Sequence, residues 1–226
     1  MKQIATLIAL PVLFWSCHEA SVNPGINTDF LNPDLDVDGM VARFETESRE
    51  IAKERVRIAD AVGIRRGQSV ADIGAGTGLF TGLFASRVGA EGQVYAVDVS
   101  APFIEHLEAK IQDAGMSQVQ AVLCKEDSVE LPAGSVDVAF ICDTYHHFEY
   151  PQSTMKSLHS AVRPGGSLVV VDFHRVVGAR GDWVLEHIRA GQDVFTSEIE
   201  AAGFRFVEEV EIEGLEENYF LRFERK

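Results

Sequence analysis

Cysteine is scarce: three in 226 residues cannot supply the staples of a disulfide-framework fold. Cationic side chains are also short, with 20 Lys+Arg against 35 Asp+Glu and a formal net charge of −15. Such a field repels phosphate backbones, which argues against nucleic acid as a partner. Arg55, Arg57, Arg65 and Arg66 are the only local basic cluster. No repeat or low-complexity segment is visible, and a 46% hydrophobic, 24% charged composition excludes a disordered or collagen-like chain. The one long apolar run, Ile4–Trp15, is twelve residues, short of the roughly 20 that span a bilayer as a helix. What remains is one acidic globular domain with enough chain to bury a core.

That apolar run follows Lys2 and ends at Ser16-Cys17, the layout of a secretory signal. It resembles bacterial lipoprotein signals, in which a small residue precedes a cysteine that becomes the lipidated N-terminus, although Phe14 and Trp15 are bulky for such a site. The expectation is a leader over residues 1–16, a tether over 17–38 and a folded domain over 39–226. Export and membrane attachment through lipidated Cys17 on the periplasmic side then follow; the alternative is a cytoplasmic enzyme with an apolar extension. Within the tether, Asn23-Pro24-Gly25 and Asn32-Pro33 break regular structure. Asp34, Asp36, Asp38, Gly39 and Glu45 match the spacing of an EF-hand calcium loop, with Val41 at its eighth position. Asn32-Pro33 stand where that motif needs an incoming helix, so the competing reading makes Asp36 and Asp38 the cap and early charge of the next helix.

Apolar residues from Met40 to Val62 recur at helical spacing, and Gly63 closes the helix. Short apolar runs then alternate with helical stretches, the pattern of a parallel sheet with crossover helices. Strands are expected at Ser69–Ile73, Gln93–Asp98, Val119–Cys124, Val136–Cys142 and Ser167–Phe173. Helices are expected at Leu79–Val88, Pro102–Ala114, Thr154–Val162 and Phe195–Ala202. The last two strands, Phe204–Ile212 and Asn218–Glu224, are joined too closely for a parallel crossover and must form an antiparallel hairpin.

The chemistry concentrates at Asp72-Ile73-Gly74-Ala75-Gly76-Thr77-Gly78-Leu79, a glycine-rich loop between a strand and a helix. Its glycines allow a sharp turn and close approach to a ligand. A dinucleotide site would need a further glycine where Leu79 stands, and Asp72 repels a pyrophosphate but suits an ammonium group. Asp98 ends the second strand, where a carboxylate accepts from ribose hydroxyls. Asp127 follows the third strand and is placed to accept from an adenine amino group.

Together with Glu130-Leu131-Pro132, Ser135-Val136-Asp137 and Arg163-Pro164-Gly165-Gly166, these motifs resemble the class I S-adenosylmethionine-dependent methyltransferases. Within that superfamily the block resembles the ubiquinone/menaquinone-type and small-molecule type 11 enzymes. The resemblance runs from about Phe44 to the C-terminus. It implies an α/β Rossmann-like fold, a seven-stranded mixed sheet of order 3-2-1-4-5-7-6 with strand 7 antiparallel and helices on both faces. It implies S-adenosyl-L-methionine as cofactor and a cofactor-binding set of Asp72, Ile73, Gly74, Ala75, Gly76, Gly78, Asp98, Val99, Asp127, Ser128 and Asp143. Asp72 and Gly74–Gly78 would hold the methionyl part, Asp98 the ribose, and Asp127 with Ser128 the adenine. Asp143 would line the pocket near the methionyl amine and the substrate. In that sheet order the strands ending in Cys124 and Cys142 lie about 14 Å apart, at ~4.8 Å per strand, so both thiols should stay reduced.

The substrate side is read from Cys142-Asp143-Thr144-Tyr145-His146-His147-Phe148-Glu149. His146, His147 and His174 are the candidate catalytic bases. A metal site drawn from Asp143, His146, His147, His174 or His187 is disfavoured because adjacent histidines do not easily face one ion, so no metal is expected. Residues 174–194, with Trp183, His187 and Arg189, form either a lid over the site or an amphipathic helix with Trp183 and Ile188 inward. The helix carrying Arg49, Glu50 and Arg55 should cover the other side. The expected activity is methyl transfer to a small-molecule or lipid-like acceptor. Its rival is a membrane-tethered S-adenosylmethionine-binding protein without turnover; a nicotinamide oxidoreductase is disfavoured by Leu79 and Asp72.

Overall fold

In the computed structural model, which describes residues 19–176 and 183–226, a single sheet organises the chain. The leader 1–16, Cys17, and the middle of the 174–194 insertion with the Trp183 side chain lie outside the described residues. The strands are β1 (Ser69–Ile73), β2 (Gln93–Asp98), β3 (Val119–Leu123), β4 (Val136–Cys142), β5 (Val162–Phe173), β6 (Phe204–Glu209) and β7 (Asn218–Arg225). They pair in the order β3-β2-β1-β4-β5-β7-β6, as expected. β1 to β5 run parallel and β7 antiparallel to both its neighbours.

The helices are α1 (Val37–Phe44), α2 (Glu50–Lys53), α3 (Arg55–Ala61), α4 (Thr81–Val88), α5 (Ala101–Asp113), α6 (Pro151–Ala161), α7 (Trp183–His187) and α8 (Gln192–Ala201), with a 3₁₀ turn at Tyr145–His147. They cover both faces, which is why the central strands are apolar in successive residues rather than alternately. On β5, Leu168 and Val170 pack toward α6 and α8, while Val169 and Val171 pack toward the face of α3 and α4. On that second face Phe140 is fully buried, with ring centroids 4.8 Å from Phe80 and 5.1 Å from Phe84. Among the described residues no helix is long and apolar enough to cross a membrane.

Two expectations before β1 change, and the reading of Asp36 as a helix cap holds. The single helix expected over 40–62 is broken into α1, α2 and α3. Thr46 and Ser48, whose hydroxyls lie 3.3 Å apart, sit in the break, and such side chains compete for the backbone bonds a helix needs. The calcium loop does not form, because α1 occupies Val37–Phe44 inside it and Asp36 caps that helix, accepting from the Gly39 N–H at 3.0 Å. The tether is held against the body over its described part. Glu19 accepts from the Gln152 and Ser153 N–H groups at 2.9 and 2.7 Å, capping α6. The Ser21 hydroxyl and the Gly25 N–H donate to the Glu149 carboxylate at 2.7 and 2.9 Å, and buried Asn27 donates to the His147 carbonyl at 3.1 Å.

Candidate active site

The parallel registers bring Ile73 beside Val97 and Ile141, and Ile141 beside Val170. The carboxyl ends of β1, β2 and β4 therefore open together, where an α/β sheet binds ligands. A cavity of about 860 Å³ lies there, near the upper end of the ~300–1,000 Å³ usual for ligand pockets.

The glycine loop forms its wall. The Gly74 and Ala75 N–H groups both donate to the Val97 carbonyl, at 2.8 and 3.0 Å. Gly74 has φ +70°, and a Cβ there would lie 2.3 Å from the Thr144 side chain, so only glycine fits. Gly78 does not line the cavity. Its φ is +79° and a Cβ would meet Leu107 at 2.8 Å, which makes it a turn and packing glycine rather than a ligand contact. Ile73, Ala75, Gly76 and Val99 do line the cavity.

Three carboxylates share the space, Asp72 and Asp98 buried and Asp143 partly so. Asp72 accepts from the Thr81 hydroxyl at 2.7 Å. Burial pushes its carboxyl up to about 7, against the Thr81 bond and with help from Asp98. Asp98 accepts from the Gly76 and Ser100 N–H groups at 2.8 and 2.9 Å, and burial still raises its pKa. Asp143 sits at φ +48°, a conformation uncommon outside glycine and found at functional sites. It is held by Arg49 at 2.5 Å and by the Asn218 amide at 2.6 Å. Burial lifts its carboxyl to about 6 even against Arg49. Each carboxylate oxygen keeps a spare lone pair, and acids this costly to ionise favour a cationic ligand.

The adenine side differs from expectation. Asp127 is exposed, and neither it nor Ser128 lines the cavity; Glu126 does. Lys125 and Ser128 pair back to back across a tight turn, with the Lys125 N–H donating to the Ser128 carbonyl at 3.0 Å. That turn carries Asp127 outward, and the Ser128 hydroxyl lies 3.2 Å from that of Ser157. Cys124 and Cys142 are free, and burial pushes the Cys124 thiol up to about 12.

At the other end stand the histidines. His146 is buried, its Nδ1 2.7 Å from Asp172 Oδ1. Burial opposes protonation of that ring, but Asp172 outweighs it and the pKa is raised. His147 is pushed down to about 2 by burial and by the neighbouring His146 and His187. Its Nε2 lies 3.2 Å from His187 Nε2. Against expectation, the 3₁₀ turn brings the adjacent His146 and His147 rings to 4.4 Å between centroids. His174 is not part of the lining. β5 and β7 pair up to Phe173 and Asn218, and beyond that point the His174 ring packs on Tyr219 at 5.5 Å. Arg189 does not cover the site either: it pairs with Glu198 on α8 at 2.6 Å and lies over Phe195. Ile188 is fully buried, as in the amphipathic-helix reading, while His187 lines the cavity.

Sequence reasoning missed Asn27, Phe30, Arg43 and Phe44 as lining residues, although they close the cavity from the N-terminal segment: Asn27 and Phe30 lie in a stretch without periodicity, and the helical spacing around Arg43 and Phe44 does not say which side of the helix meets the cleft. It also missed Asp172. The available signal was a lone acid in the run Leu168–Phe173, since a charge in a doubly covered strand needs a partner.

Residues 71–170 match the model of a methyltransferase domain. The matched span begins just before Asp72 and ends in β5, so it holds the glycine loop, the three carboxylates and the histidine pair. The chain is 30% identical over 121 residues to the ubiquinone/menaquinone biosynthesis C-methyltransferase UbiE of Idiomarina loihiensis, which is 53% of this chain and 48% of that one. It therefore spans about half the length of the curated relatives it matches. Its fold is similar to that of a SAM-dependent methyltransferase from Aquifex aeolicus, with TM-score 0.75, 21% identity, and coverage of 84% of this chain and 99% of that one. It is also similar to the [4+2]-cyclase SpnF, with TM-score 0.69, 15% identity, and coverage of 92% and 96%. The last likeness shows why the methyltransferase fold alone does not name a reaction.

Proposed function

We propose that this protein is an S-adenosylmethionine-dependent methyltransferase acting on a small-molecule or lipid-like acceptor by direct methyl transfer. The observation that carries the reading is the convergence of the Gly74 cradle, Asp72 and Asp98 on one cavity. When bound, the cofactor supplies an electrophilic methyl on a sulfonium. Asp72 and Asp143 are suited to its ammonium group, Arg49 to its carboxylate, and Asp98 to the ribose hydroxyls. The chain does the rest by alignment and exclusion of water, which is most of what methyl transfer needs.

Phe30, Phe44, Phe148 and Phe173 line the cavity, with Phe30 against His147 at 5.3 Å and Phe173 against His146 at 5.9 Å, which suits an aromatic or otherwise apolar acceptor. The names of the curated relatives point to carbon as the attacking atom and to quinone-like substrates. The N-terminal signal stands on the sequence alone, and mass spectrometry of the mature N-terminus tests whether Cys17 is lipidated. The activity is tested by incubating the full chain with S-adenosylmethionine and a panel of quinols, phenols and amines. Release of S-adenosylhomocysteine dependent on one acceptor class supports the reading. Cofactor binding with no release for any of them would favour the binding protein without turnover.

A further inference from the structure

We propose that His146, His147 and His187 form a binding site for a divalent transition-metal ion at the acceptor end of the cavity. One nitrogen from each ring lies within 4.8 Å of the others, and all three residues line the cavity. The His147 and His187 Nε2 atoms are 3.2 Å apart. Two ligands of a tetrahedral zinc at ~2.0–2.1 Å stand about 3.3 Å from each other, so this pair is already at coordination spacing. His146 has the outer partner of a metal-ligating imidazole: its Nδ1 is bonded to buried Asp172, leaving Nε2 for an ion. His147 Nδ1 is buried without a hydrogen-bond partner, so its ring is fixed by packing, edge-on to Phe30 at 5.3 Å, and by whatever its Nε2 faces.

Three imidazoles select zinc, cobalt, nickel or copper rather than magnesium or calcium. Three protein ligands leave a position open toward the cavity, the arrangement of catalytic rather than structural zinc sites. An oxygen of the acceptor is the chemical group such a position would take. The competing account is a hydrogen bond between the His147 and His187 rings with no ion involved.

The inference rests on the cluster and not on the methyl-transfer reading, and its test separates the two. The chelator-treated full chain is titrated with Zn²⁺ by calorimetry and with Co²⁺ by visible absorption. One equivalent should bind, with the intense bands of low-coordinate cobalt. His187→Ala should weaken binding at least ~10-fold, and Asp172→Asn by roughly 10–100-fold, as loss of an outer-shell partner does. His174→Ala should bind as wild type. S-adenosylhomocysteine titrated into the same samples reports the fold and the cofactor cleft independently. No metal binding, or binding equally tight in His187→Ala, overturns the metal site and leaves the methyltransferase reading standing. Metal binding without S-adenosylhomocysteine binding does the reverse.

Discussion

Replacing Asp72 with Asn should uncouple cofactor binding from pH. In the free protein, burial holds the Asp72 carboxyl at about 7 instead of its ordinary 3.8. It must ionise to meet an ammonium group, so binding at lower pH releases a proton. The sign follows from linkage: affinity rises with pH up to about 7 and is flat above it. At pH 5.5 only about 3% of the free protein carries the ionised form, so S-adenosylhomocysteine should bind roughly 30-fold more weakly than at pH 8. Calorimetry in buffers of different ionisation enthalpy should show close to one proton released at pH 6. Asp98 and Asp143 are also raised by burial, so the measured quantity is the difference between wild type and Asp72→Asn, whose affinity should be weaker at pH 8 and much less pH-dependent. The same displacement acts on the unliganded fold with the sign it dictates. The folded state gains stability as pH falls from 7 toward 4, so the variant should be the more stable protein at pH 8, by up to about 4 kcal/mol, and lose that advantage near pH 4. Equal pH profiles for the two proteins would refute the placement of the cofactor's cation against Asp72.

Gly74→Ala adds a Cβ against Thr144 and forces a left-handed backbone that costs about 1–2 kcal/mol. It should weaken S-adenosylhomocysteine binding at least ~10-fold while circular dichroism stays native. Asp127→Ala should leave that affinity within about 2-fold, because the side chain is exposed and outside the cavity. Phe140→Ala removes a ring packed between Phe80 and Phe84 and should cost about 3–5 kcal/mol in denaturant unfolding.

The strands were legible because most are short apolar runs bounded by turn residues, and the hairpin at the end admits only an antiparallel pair; their order across the sheet came from the resemblance to the class I methyltransferases, not from the runs themselves. Asp72, Gly74 and Asp98 were legible because a strand end and a glycine turn place them regardless of what packs around them. Asp127 was misplaced because one tight turn, Lys125–Ser128, decides which of two adjacent acids faces inward, and neighbouring acids look alike in sequence. The N-terminal closure was illegible for a different reason. Glu19, Gly25 and Asn27 are fixed by partners 120 or more residues away, and nothing local encodes them. The histidine cluster needed the 3₁₀ turn and the return of α7 before its members could be seen to meet.

The most direct measurement is an equilibrium titration of the full chain with S-adenosylmethionine, beside its Asp98→Ala variant. Asp98 is expected to make two charge-assisted hydrogen bonds to the ribose, about 1.5–3 kcal/mol each. The account predicts saturable one-site binding that weakens at least ~10-fold in the variant. No saturable binding, or equal affinity in the two proteins, would contradict it.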